Sequence, residues 1–88
     1  MSTFVNDMLN LNDLRVFAKV VEHGGFSAAS RRMGEPKSTL SKRVAALEES
    51  LGARLLHRNA KAIALTPLGE NMLTHARAIL VEAERLRQ

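Results

Sequence analysis

Lys37, Ser38, Thr39, Ser41 and Lys42 bring short hydroxyls and long cations together within a few residues. A hydroxyl can donate to or accept from a base edge or a phosphate. A lysine supplies charge and favours guanine acceptors or phosphate oxygens, and a threonine methyl can meet the methyl of thymine. The spacing predicts a helix here, because Leu40, Val44, Leu47 and Leu51 recur four, three and four apart, one face of a 3.6-residue period. Ser38, Lys42 and Ala45 fall opposite that face, so no bulky hydrophobe interrupts the polar side. Glu48 and Glu49 come only in the last turns, whereas an ordinary solvent-facing helix mixes both signs throughout. Such a helix suits the major groove of DNA. For Ser41 the competing reading is a bond back to a carbonyl of its own helix.

Other groups of the same chemistry lie nearby. The hydroxyl of Ser27, with the first amides of the short helix it begins, can hold a phosphate, although Ser27 serves equally well as a cap alone. Arg31 and Arg32 leave that helix beside the groove, one to touch the DNA backbone and the other to be solvated. Arg58 and Lys61 sit in a later polar turn, where a cation can enter the narrow minor groove of A·T-rich DNA. Thr66 is first a helix cap and secondarily a phosphate contact. Residues 31 to 61 hold eight cations against three acids, a balance of +5 that leaves −1 for the rest of the chain. That asymmetry points to a polyanionic partner, with a merely solvated basic face as the competing reading. His23, His57 and His75 stand near no acid at metal-ligand spacing, and no nucleophile–base pair, phosphate-binding glycine loop or carboxylate pair is present. Neither a catalytic site, nor a metal, nor a cofactor is expected.

Positioning these groups requires a particular order of elements. Residues 1–9 show no usable period and read as a flexible tail. A first helix is expected from Asn12, with Asn12 as N-cap, Asp13 at the positive end of the dipole and Leu11 stapled onto Val16. Leu14, Phe17, Ala18 and Val21 form its buried stripe, Val20 its margin, and Gly24 and Gly25 stop it. Ser27 caps a short second helix to about Met33. Its Ala28 and Ala29 let another helix cross closely, Phe26 and Met33 fill the core, and Gly34 ends it. Pro36 opens the third helix, which runs to Leu51 and stops at Gly52. The two short segments either side of residues 57–61 read as a β-hairpin. Thr66-Pro67 starts a last helix reaching about residue 87, roughly 31 Å long. On it Met72, Ala76, Ile79, Ala83 and Leu86 step four, three, four, three, a heptad seam that favours dimerisation over a plain core contact. Leu73 and Leu80 lie beside the seam and should pack on the domain body.

The 88 residues make one small domain able to bury roughly 60% of its unfolded surface. A hydrophobic fraction of 45% supports a folded core, built largely without aromatics because only Phe4, Phe17 and Phe26 are available. The absence of cysteine excludes disulfides and thiolate metal sites and fits a cytoplasmic location. No signal-peptide pattern and no run long enough to cross a bilayer appears.

The chain resembles the N-terminal DNA-binding domain of LysR-type transcriptional regulators. The resemblance rests on Leu14, Phe17 and Val20, then Glu22-His23-Gly24, Phe26-Ser27 and Ala28-Ala29. It continues through Lys37-Ser38-Thr39-Leu40-Ser41, Leu47-Glu48, Leu51-Gly52 and Leu55-Leu56-His57-Arg58, and closes on Leu65-Thr66-Pro67-Leu68-Gly69. It covers residues 9 to 88. The resemblance implies a mainly α winged helix-turn-helix followed by a long linker helix, antiparallel pairing of linker helices in a homodimer, and DNA contact by Arg58. It also implies a ligand-sensing domain beyond this chain, through which any small-molecule effector would act. Gly25 departs from the family's frequent Ser, and Pro36-Lys37-Ser38 from its usual Ser-Gln-Pro. Met33 stands for a frequent Leu and Lys42 for a frequent Arg. Because a glutamine reads adenine and a lysine does not, the family's base preference should not carry over at Lys37 and Lys42.

The expected organisation is a tail at 1–9, a winged helix-turn-helix at 10–66 and a linker and dimerisation helix at 67–88. The expected function is sequence-specific binding of double-stranded DNA at an interrupted inverted repeat. The competing functions are a nonspecific architectural DNA binder and a protein-interaction module docking through its last helix.

Overall fold

The computed structural model describes residues 10–57 and 62–87. Four helices are present among the described residues: α1 (Leu11–Glu22), α2 (Phe26–Met33), α3 (Lys37–Leu51) and α4 (Pro67–Arg85). The start of α1 differs from expectation by a turn of chemistry. Asn10 is the N-cap, its Oδ1 accepting the amides of Asn12 and Asp13 at 2.9 and 3.1 Å. Asn12, one position inside the helix, instead accepts from the Arg15 guanidinium. Leu11 is left half exposed, not stapled.

The end of α1 is closed by Gly24 and Gly25. Gly24, at φ +82°, donates its amide to the Val21 carbonyl, and Gly25 donates to Val20. This paired closure needs the left-handed backbone that glycine adopts without steric cost. Gly34 and Gly52 cap α2 and α3 at φ +70° and +69°.

The core is one cluster. Leu14, Val16, Phe17 and Val20 of α1 are fully buried against Ala29 of α2, Leu40, Val44 and Leu47 of α3, and Leu55. Val20, expected at the margin, lies in the centre, and Val21 takes the margin. Ala29 is fully buried, as a close helix crossing demands. Leu73 and Ala76 of α4 belong to the same cluster and Leu80 packs on it. A boundary at 66/67 therefore cuts through a shared core: the first turns of the last helix close the domain.

Between α3 and α4 the expected hairpin shortens to one antiparallel bridge, Leu56 with Leu65, among the described residues. Its flanking bonds are His57 N–H to Ala64 C=O at 2.9 Å and Thr66 N–H to Leu55 C=O at 3.0 Å. Few β-branched side chains are available there to extend the ladder. The turn that carries Arg58 and Lys61 lies outside the described residues.

Candidate nucleic-acid interface

The positive ends of α2 and α3 open on the same cleft. Its walls include Gly25, Phe26, Ser27 and Arg31 from α2, Lys37 and Ser41 from α3, and His57, Ala62 and Ile63 from the base of the wing. Neither helix has a side-chain cap or an acid in its first turn. Gly25 is the N-cap of α2, which moves Ser27 inside the helix, exposed and free of the capping duty expected of it. Uncapped amides carry partial positive charge, and the cleft adds cations to them.

The basic cluster of the sequence divides once its partners are known. Arg43 pairs with Asp13 at 3.1 Å and Arg54, itself mostly exposed, lies 3.6 Å from Glu48, so each has an acid of the fold beside it. Arg31, Arg32, Lys37 and Lys42 are exposed and have no ion pair among the described residues. Arg31 and Lys37 face the cleft. Ser38 and Lys42 are exposed on α3, and Ser41 and Thr39 are half-buried on either flank of that polar side. Thr66 is occupied elsewhere: its Oγ1 accepts the Gly69 amide at 2.9 Å and donates to the Arg54 carbonyl at 2.7 Å. It caps α4 as expected, and its proton is not available to a phosphate.

The turn between α2 and α3 is fastened from two sides. Ser30 Oγ donates to the Glu35 carbonyl at 2.5 Å, and the Glu35 carboxylate lies 3.8 Å from Arg15 of α1. This holds the two uncapped helix ends at a set angle.

Glu48 is the residue that helical periodicity alone did not single out. Its side chain is 6% exposed, and Oε2 accepts the amides of Leu55 and Leu56 at 2.8 and 3.2 Å. A carboxylate on the last turns of α3 thus holds the first segment of the wing. The available signal was its place between Leu47 and Leu51 on the apolar side, where an acid needs partners inside the fold. Gly69 supports the same segment from α4, since a Cβ there would lie 2.1 Å from the Leu55 carbonyl oxygen.

The seam positions of α4 do not share one environment. Ala76 is fully buried against the domain, Met72 and Ala83 are half-buried, and Ile79 and Leu86 are exposed. Leu68, four residues before Met72, is also exposed, although the alternating step falls on buried Gly69. Leu73 and Leu80 pack on the body as expected.

Comparison with known proteins places this architecture. Residues 11–70 match the family model described as the bacterial regulatory helix-turn-helix protein of the lysR family. An HTH-type transcriptional regulator of Xanthomonas campestris pv. campestris is 48% identical over 75 residues, which is 85% of this chain and 22% of that protein. The DNA-binding domain of BenM, solved in complex with its catB site 1 DNA, superposes with a TM-score of 0.85 at 31% identity, covering 89% of this chain and 87% of that one. The full-length virulence activator AphB of Vibrio cholerae superposes with a TM-score of 0.82 at 34% identity, covering 90% of this chain and 27% of that one.

Proposed function

We propose, from the premise that the chain belongs to the lysR family of bacterial helix-turn-helix regulators, that it reads double-stranded DNA as the DNA-binding unit of a dimeric transcriptional regulator. One observation carries the reading: two uncapped helix N-termini and the unpaired cations Arg31 and Lys37 face one cleft. Phosphate oxygens satisfy free amides and cations alike. The BenM neighbour was solved on DNA, which supports the same assignment here.

In this mechanism α3 enters the major groove. Lys37, Ser38, Thr39, Ser41 and Lys42 address base edges and nearby phosphates, and Ser27, Arg31 and Arg32 hold the backbone. The wing, with Arg58 and Lys61, addresses the minor groove. Two copies place their recognition helices about 34 Å apart, or a multiple of that, on an interrupted inverted repeat. Pairing uses the accessible part of the α4 stripe, Met72, Ile79, Ala83 and Leu86. Ala76 is spent inside the domain. Much of the affinity comes from phosphate neutralisation and falls steeply with salt. The chain spans a minor part of its relatives' length, 22% of the Xanthomonas protein, so effector sensing falls to the remainder of such a regulator. Action on DNA implies a cytoplasmic location; separately, no helix among the described residues is long and apolar enough to cross a membrane.

Selection of bound sequences from a random duplex pool tests the function. Enrichment of an interrupted inverted repeat is expected. A single half-site would remove the dimer, retention without enrichment would indicate an architectural binder, and no retention at low salt would end the DNA reading. Ile79→Glu separates the assembly from the chemistry: sedimentation should show a monomer that still binds a half-site.

A further inference from the structure

On the flank of α3 away from the cleft, Arg43 points back to the start of α1. Its Nη1 lies 3.1 Å from Asp13 Oδ1. The Asp13 side chain is 12% exposed and that of Arg43 is 40% exposed. The pair does not sit apart from the reading surface: Asp13, Arg43, Thr39, Lys42 and Ala46 line one shallow hollow. An arginine next to Lys42, on a helix that addresses DNA, would ordinarily be counted as a phosphate contact.

The two partners are bound to their places unequally. Asp13 lies in the first turn of α1, where the helix dipole favours its negative charge, and its amide is held by the Asn10 cap. It stays put whether or not Arg43 is present. Arg43 has no second ion-pair partner among the described residues, so replacing the Asp13 carboxylate removes the anion that holds it.

We propose that Asp13 is an affinity-setting positioning residue, which holds the Arg43 guanidinium on the flank of α3 and off the DNA phosphates. The inference rests on the DNA-binding reading above. Its physical content is that a backbone contact adds affinity for every sequence alike, whereas base contacts discriminate. Withholding one cation from the backbone lowers binding to random and enriched DNA by the same factor, so the pair sets how tightly and how salt-dependently the chain holds any duplex. The same pair also joins α1 to α3, so a stability change alone would not distinguish the two roles. The salt dependence of binding does.

The experiment is a double-mutant cycle on the full chain with Asp13→Asn, Arg43→Ala and the pair together, each checked for folding by circular dichroism. Affinity is measured across a salt series for a random-sequence duplex and for the duplex enriched in the selection. Asp13→Asn should bind the random duplex about threefold more tightly at low salt, with a log–log salt slope steeper by about 0.9, one added phosphate contact. The enriched duplex should gain by the same factor, so the preference between the two duplexes should stay as it was. Arg43→Ala in the original background should leave the slope unchanged, and adding it to Asp13→Asn should remove the gain. A slope made shallower by about 0.9 in Arg43→Ala would overturn the proposal, because Arg43 would already touch phosphate. Equal slopes for Asp13→Asn and the double variant would overturn it too, because the released arginine would reach nothing. Should Asp13→Asn not fold, the Arg43→Ala slope decides alone. Failure of the unmodified chain to bind either duplex at low salt would instead overturn the DNA reading, and this proposal with it.

Discussion

The two ends of α3 are built on opposite terms. Its first turns have no side-chain cap and no acid, and they present exposed Lys37, Ser38 and Lys42. Its last turns bury Leu47 and Glu48, close on the left-handed Gly52, and hold the wing through two backbone amides. Electrostatic satisfaction is withheld at one end and complete at the other. An end meant for a ligand keeps its donors free, and the fold needs a fully bonded anchor elsewhere to tolerate that. The comparison explains why net charge misleads here: cations engaged near the anchor, such as Arg54, serve the fold, and the unpaired ones near the open end are left for a polyanion.

The largest effect should come from the anchored end. Glu48→Ala strands two buried amides, at a cost of about 3 kcal/mol in unfolding free energy, read by urea denaturation. Glu48→Gln keeps one acceptor oxygen and should lose distinctly less; equal losses would mean that charge, not the acceptor, holds the wing. Gly69→Ala comes next, at about 2 kcal/mol, because its Cβ overlaps the Leu55 carbonyl and the backbone must shift. A melting temperature unchanged by that substitution would show the wing to be loosely held.

At the open end the sign of the test reverses. Lys42→Ala should leave the melting temperature within error and cost about 1.5 kcal/mol of binding, with relaxed preference at one or two bases. Lys61→Ala should weaken binding evenly across sequences. Equal losses on enriched and random duplexes for both would erase the division between groove and backbone. The smallest effect expected is Thr66→Ala, about 1 kcal/mol of stability from the lost α4 cap, seen as a modest fall in denaturation midpoint.

How much of this was legible beforehand varies with the range of the interaction. The apolar stripe of α3, its stop at Gly52, and the Thr66 cap were readable because each depends on residues within one turn. The displaced cap at Asn10 and the uncapped α2 were misjudged by local preference. Ser27 has capping chemistry but falls one position inside the helix, because the chain leaves Gly25 at φ +152° and enters α2 immediately.

The sequence by itself determined the order of helices, the polar face of α3 and the concentration of positive charge, all properties of spacing and composition along the chain, and its ordered motifs carried the resemblance to the family. Tertiary structure alone decided which cations remain free, that Glu48 grips the wing, and that Ala76 is consumed by the core while Ile79 and Leu86 stay outside. The physical reason is the same in each case. Helical periodicity says which residues share a face, but burial and pairing depend on the neighbour that face meets, 30 residues away for Asp13 and Arg43.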